Sequence, residues 1–194
     1  MTYELPISLT VQGVDHPIRT DYRVVLDAIS AMNDPDLSPA EKALVVIGLI
    51  FPDWESFPHE AWEEALQQAL WFINCGDDQS RRRPAPKLVD WEKDFQYIVA
   101  PINRVAGCEI RAIPYNRDKN TGGLHWWSFI TYYYEIGGDC VFAQIVRIRS
   151  LLDKGKHLDK TDREWYRQNR HLVDLKTKTT AAEDAIINKW IGKS

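Results

Sequence analysis

The sequence predicts a mainly α-helical protein that begins with a short β-hairpin. Along most of the 194 residues, apolar side chains recur at spacings of three and four, which is the period of an amphipathic helix. Residues 5–11 instead alternate apolar and polar side chains ahead of a turn at 13–15, which is the pattern of a hairpin. We therefore predict a short N-terminal β-hairpin followed by about seven helices that form a helical bundle.

Three helices are predicted between the hairpin and residue 76. Thr20 or Asp21 can cap the first, because a short polar side chain there accepts from backbone N–H groups that lack a helical partner. Residues 38–41, Ser-Pro-Ala-Glu, form a capping box that starts the second helix. The third helix opens at Pro58, and Gly76 closes it.

A polar, proline-containing stretch after residue 76 is the predicted boundary within the chain. We predict an N-terminal unit at residues 1–76, a linker at 77–89 and a C-terminal helical region at 90–194. The C-terminal region could also form one continuous domain with the first unit. A second polar stretch, residues 114–123, is predicted to be an exposed loop.

The remaining predicted helices lie in the C-terminal region. Asp90 begins the fourth, and a very aromatic helix at 124–136 precedes a sixth at 139–154. Capping boxes at Thr161 and Thr180 predict the starts of the last two helices.

Charge is distributed unevenly along the chain, although the net charge is only −4. Residues 1–75 carry 3 basic and 12 acidic side chains, whereas residues 147–178 carry 10 basic and 5 acidic side chains. Such a division predicts a head-to-tail contact, either within the chain or between copies. The alternative is two solvated faces of opposite sign that never meet.

The composition argues against several classes of function. The three cysteines are odd in number and far apart, which predicts a reducing cytoplasm and not a disulfide framework. The five histidines lack metal-ligand spacing, and no glycine-rich phosphate loop is present. No secretory signal or bilayer-spanning segment is expected. We therefore expect a soluble protein that is not an enzyme, with no catalytic, cofactor-binding or metal-binding residues.

The aromatic segment is the best candidate for partner contacts. Adjacent residues on a helix point about 100° apart, so Trp126 and Trp127 cannot both face one neighbour. We expect Trp127 to anchor the core, with Ile130 and Tyr134 along the same stripe. Trp126 and Tyr133 would then face a partner, together with the arginines of the following basic helix, Arg147 and Arg149.

Several motifs in this region are similar to one known family. They are Leu-His-Trp-Trp-Ser-Phe at 124–129, Gly-Gly-Asp at 137–139, Gln-Ile-Val-Arg-Ile-Arg at 144–149 and Lys-Gly-Lys-His-Leu-Asp-Lys at 154–160. The chain resembles the bacteriophage "gene product fifteen" family of siphophages over residues 4–191, most specifically across 124–176. The resemblance implies a tail-assembly chaperone, made in the host cell cytoplasm beside the tape-measure protein and absent from the mature virion. It further implies that the chaperone keeps the tape-measure protein soluble and helps to recruit tail-tube subunits.

Two other functions compete with this interpretation. Arg81–Arg83 and the basic stretch 147–178 could bind nucleic acid, although a sequence pI near 5.7 makes nucleic acid an unlikely partner. A weaker alternative is a thiol hydrolase at Cys140 with His125 as its base. We predict a tail-assembly chaperone whose partners are the tape-measure protein and the tail-tube protein, with homo-oligomers also possible and no membrane partner.

Overall fold

The computed structural model describes residues 4–77 and 86–175, and its chain begins with the predicted hairpin. Strands β1 (Ser8–Val11) and β2 (Val14–Pro17) pair antiparallel. Gln12 and Gly13 form the turn with φ of 50° and 77°, the left-handed values that a tight two-residue hairpin turn requires. Alternation along β1 buries Leu9 and Val11 and leaves the opposite face in solvent.

Three helices follow the hairpin: α1 (Tyr22–Met32), α2 (Pro39–Ile50) and α3 (Trp62–Ile73). Asp21 caps α1, and the capping box between Ser38 and Glu41 starts α2, both as predicted. The predicted start of the third helix at Pro58 is corrected. Two 3-10 turns, at 54–56 and 59–61, precede α3 instead, because they turn Phe57 and Ala61 into the core.

Helix α4 (Trp91–Ala106) begins after its cap, Asp90, as predicted. The segment beyond it contains a 3-10 turn at 110–112 and two short antiparallel strands, β3 (Tyr115–Asn116) and β4 (Thr121–Gly122). The prediction of an exposed loop at 114–123 missed this ladder, which is too short to give a period in the sequence.

The last four helices of the described chain are α5 (Trp126–Tyr134), α6 (Val141–Asp153), α7 (Lys160–Gln168) and α8 (Arg170–Val173). Asp159 caps α7 by accepting from the backbone N–H of Asp162 at 2.7 Å, so the predicted capping role of Thr161 is corrected. The helix predicted from Thr180 lies outside the described residues. The mainly α class with an N-terminal hairpin is confirmed.

One hydrophobic core joins the segments on both sides of the predicted linker. It runs from Leu9 in the hairpin through Phe51 and Phe72 to Phe129 and Phe142. A second, smaller cluster lies under α7 and α8. The shared core favours one continuous domain over two units, and the division at 77–89 stays a prediction.

The N-terminal ends of α1 and α5 are joined by backbone hydrogen bonds. Tyr22 N–H donates to the carbonyl of Leu124 at 3.0 Å, and Trp126 N–H donates to the carbonyl of Thr20 at 2.7 Å. The buried carboxylate of Asp21 accepts from Leu124 N–H at 2.8 Å, so one side chain serves both helix starts. These bonds fix how α5 is rotated against the core.

Candidate functional site: an aromatic groove between two helices

The prediction that Trp127 is the core residue of α5 and Trp126 the exposed one is wrong, because Trp126 is the more deeply buried of the two. Trp126 is 2% exposed, and its indole N–H donates to the carbonyl of Ile73 at 2.8 Å. Its ring stacks on Phe129 at 5.5 Å. Trp127 is only half-buried and packs beside Trp71. Trp126 is therefore the core residue, whereas Trp127 lies at the edge of the core, where its indole N–H donates to the carbonyl of Phe72 at 2.9 Å.

An open apolar groove lies between α5 and α6 and has a volume of about 490 Å³. We call it the α5–α6 groove. Its apolar walls are built from Leu88, Tyr133, Tyr134, Phe142, Val146 and Leu151. Tyr134, expected in the core, is 75% exposed at the end of α5. An aromatic side chain so exposed beside other apolar walls is typical of a binding surface.

Tyr133 forms the base of the α5–α6 groove, where sequence reasoning placed a partner contact. Its ring packs against Trp91 at 5.1 Å and against Phe142 at 5.8 Å. Burial raises the pKa of Tyr133 to about 12, so the phenol stays neutral at physiological pH. The side chain thus gives the groove a rigid, uncharged aromatic surface.

Arg147 also borders the α5–α6 groove, but its charge is paired within the protein. Its guanidinium donates to both carboxylate oxygens of Asp162, with Nη1 at 2.8 Å from Oδ2. These hydrogen bonds hold the pKa of the buried Asp162 carboxyl below its usual value. The pair fastens α7 to α6 and places a neutralised ionic contact at one rim of the groove.

Arg149, predicted to contact a partner, is buried and 5% exposed. Its guanidinium forms a two-pronged ion pair with the fully buried Asp94, at 2.5 and 3.0 Å. The same group donates to the carbonyls of Leu88, Leu172 and Val173. The expectation of a surface role is corrected, because every donor direction of this arginine points into the protein.

Cys140 and His125, which the thiol-hydrolase alternative requires, each cap a helix. Cys140 caps α6, with its sulfur 3.4 Å from the backbone nitrogen of Ala143. His125 caps α5, because Nδ1 accepts from Trp127 N–H and Nε2 donates to the carbonyl of Pro6. Both imidazole nitrogens are thereby used, so no thiol–imidazole pair is assembled.

Three basic residues in the stretch considered for nucleic-acid binding already have acidic partners. Arg147, Arg149 and Arg170 each form a local ion pair. Arg81–Arg83 lie outside the described residues. Within the described chain, no group of three or more His, Cys, Asp or Glu side chains is placed to hold a metal ion. No helix in that part of the chain is both long and apolar enough to cross a membrane.

Sequence reasoning found two residues of the groove and missed most of its walls. Tyr133 and Arg147 were expected at a partner surface, and both line the groove. Tyr134 was assigned to the core, and the α6 wall was not singled out. The four-residue spacing of Phe142 and Val146 was the available signal, since it puts both on one side of α6.

These features define a small, mainly α-helical protein with an N-terminal hairpin and an open aromatic groove between α5 and α6. The chain belongs to the Bacteriophage Gp15 protein family, whose family model matches residues 1–175. It is therefore a phage protein, as the resemblance implied. No curated protein and no solved structure matches the chain.

Proposed function

We propose that this protein is a tail-assembly chaperone that binds the tape-measure protein during siphophage tail morphogenesis. It keeps that protein soluble and helps to recruit tail-tube subunits. It acts in the host cytoplasm and is absent from the mature virion. The observation that carries the proposal is the α5–α6 groove, an exposed aromatic surface in a chain of the Gp15 family.

The shape and chemistry of the groove suit an amphipathic helix. Helix-in-groove recognition places apolar side chains at spacings of three and four into a trough with apolar walls. The trough here has aromatic walls from α5 and aliphatic and aromatic walls from α6. A long helical client such as the tape-measure protein would supply such side chains repeatedly, which is the role that the family resemblance implies.

Tyr134 is the expected centre of the contact. Tyrosine is enriched among residues that dominate binding energy, because it gives a large contact area at low conformational cost. Tyr134 is 75% exposed, and its ring lies edge-on to Tyr133 at 5.8 Å. Client binding would bury this ring without rearrangement of the core beneath it.

The test is co-expression with the tape-measure protein from the same phage. Tyr134→Glu should leave the fold intact and abolish most of the soluble complex, since loss of a central aromatic contact weakens affinity roughly tenfold or more. The matched control is Val105→Glu, which adds the same charge at an exposed apolar residue of α4 outside the groove. If both variants solubilise the client as well as the wild type does, the groove is not the client site.

A further inference from the structure

Within the part of the chain that the structure describes, the acidic and basic parts form no ion pairs with each other. Ion pairs of the acidic N-terminal part use His16, Arg23 and Arg117. Ion pairs of the basic C-terminal part use Asp94, Asp162 and Asp174. In residues 4–77 and 86–175, no ion pair joins residues 4–77 to residues 147–175. Of the two contacts that the charge pattern predicted, the one within the chain is therefore absent from the described structure.

Two acidic side chains form a short acidic stripe across the 3-10 turn at 59–61 and the first turn of α3. Glu60 and Glu63 are exposed, and Gln67 continues the same side of the helix at a spacing of three and four. Neither carboxylate has a partner among the described residues. The sequence from 43 to 77 contains no lysine or arginine, so neither α3 nor the two 3-10 turns that precede it carry one.

A basic stripe with the same spacing lies on α7. Lys160, Arg163 and Arg167 are exposed and border an open groove of about 740 Å³, with Tyr166, Arg170 and one acidic residue, Glu164, also in its walls. Arg170 is held by Asp174 at 2.7 Å. Lys160 and Arg167 have no partner in the described chain, and Arg163 donates only to the carbonyl of Leu158. The described chain thus presents two exposed stripes of opposite sign, with two carboxylates on one and three cations on the other.

We infer that the basic stripe of one copy binds the acidic stripe of a second copy. The two stripes are different surfaces, so the contact is heterologous: each bound pair of copies still presents one free stripe of each sign. Such a contact generates open chains or closed rings and not simple dimers. Because the charges are exposed, the association is weak and strongly dependent on salt, since the screening length falls from about 10 Å at 0.1 M salt to about 3 Å at 1 M.

Charge reversal provides a direct test by analytical ultracentrifugation. The wild type should form concentration-dependent oligomers at 50 mM salt and sediment as a monomer at 1 M salt. Arg163→Glu/Arg167→Glu should be monomeric at both salt concentrations, and so should Glu60→Lys/Glu63→Lys. A mixture of these two double variants should assemble again, because each stripe then meets its opposite.

The control is Lys154→Glu/Lys156→Glu, which makes the same change in net charge at exposed residues outside the basic stripe. It should keep at least half of the wild-type association constant. A wild type that is monomeric at every salt concentration overturns the inference. So do oligomers that persist at 1 M salt, or a mixture of reversed variants that stays monomeric.

Nucleic acid is the other polymer that a basic stripe could bind. A duplex DNA of 20 base pairs titrated at 50 mM salt should bind the wild type and the Lys154→Glu/Lys156→Glu control equally weakly. If DNA binds tightly, Arg163→Glu/Arg167→Glu abolishes that binding and the oligomers are unchanged, the stripe is a nucleic-acid site and the inference is wrong.

Discussion

Replacement of Arg149 by methionine should unfold a large part of the C-terminal half. The guanidinium joins its own helix, α6, to α4 through Asp94 and to the end of α8 through the carbonyls of Leu172 and Val173. Methionine fills a similar space but donates no hydrogen bond. The variant therefore leaves a buried carboxylate without its counter-ion and carbonyl groups without their charged donor.

The expected magnitude follows from burial. Breaking a buried ion pair by removal of one partner costs about 3–5 kcal/mol, because an uncompensated charge stays in the interior. Asp94 is 0% exposed and keeps only the backbone N–H of Asp90 as a donor at 2.9 Å. Since the free energy of unfolding of native domains is about 5–15 kcal/mol, this one substitution should remove a large fraction of it.

Urea unfolding followed by circular dichroism measures the change. The control is Arg104→Met, which breaks an exposed pair with Asp139 at 3.3 Å and should alter the free energy of unfolding by less than about 1 kcal/mol. Adding Asp94→Asn to Arg149→Met should recover part of the loss, because no buried charge remains. A loss below about 1 kcal/mol for Arg149→Met would refute the reasoning.

Three further predictions concern α5 and the turns beside it. Trp126→Ala should reduce the free energy of unfolding by about 3–5 kcal/mol and Trp127→Ala by less, as measured by urea unfolding; the reverse order would contradict the burial described above. Burial lowers the pKa of His125, so the unfolded chain binds its proton more tightly than the folded one does. The contribution of His125 to stability should therefore be complete above the unfolded-state pKa of about 6.5, and stability should decline as pH falls below that value. His125→Asn should flatten the dependence of melting temperature on pH between about pH 5 and pH 7. Gly123→Ala should lower the melting temperature, because φ is 85° there and a Cβ atom would clash with a neighbouring carboxylate, whereas Gly138→Ala, with open space around it, should not. Equal melting temperatures for the two glycine variants would remove the argument from backbone geometry.

Local signals in the sequence predicted most helix starts. Asp21, Asp90 and the box at Ser38 are capping residues whose partners lie two or three positions away, so the pattern contains the whole interaction. The N-terminal hairpin was predicted for the same reason, since its turn residues lie between its strands. The prediction of Thr161 as the cap of α7 was wrong, because Asp159, two positions earlier, is also a capping side chain and the local pattern does not rank the two.

The misjudged residues depend on contacts distant in sequence. Arg149 is buried because Asp94 is carried to it by a different helix, 55 positions earlier in the chain. Both stripes of α5 are apolar, so their period could not say whether Trp126 or Trp127 faces the core. That choice is made by the hydrogen bonds to Thr20 and Tyr22 at the start of α1.

Those hydrogen bonds between α1 and α5 also have a consequence for synthesis on the ribosome. Asp21 and Leu124 are 103 positions apart, so the start of the first helix gains its partner beside α5 only after more than half of the chain has been synthesised. Contacts between such distant residues slow folding, and apolar surface stays exposed while they are awaited. The nascent N-terminal segment must therefore remain unaggregated for the time that translation takes, and its dense negative charge keeps it soluble during that interval.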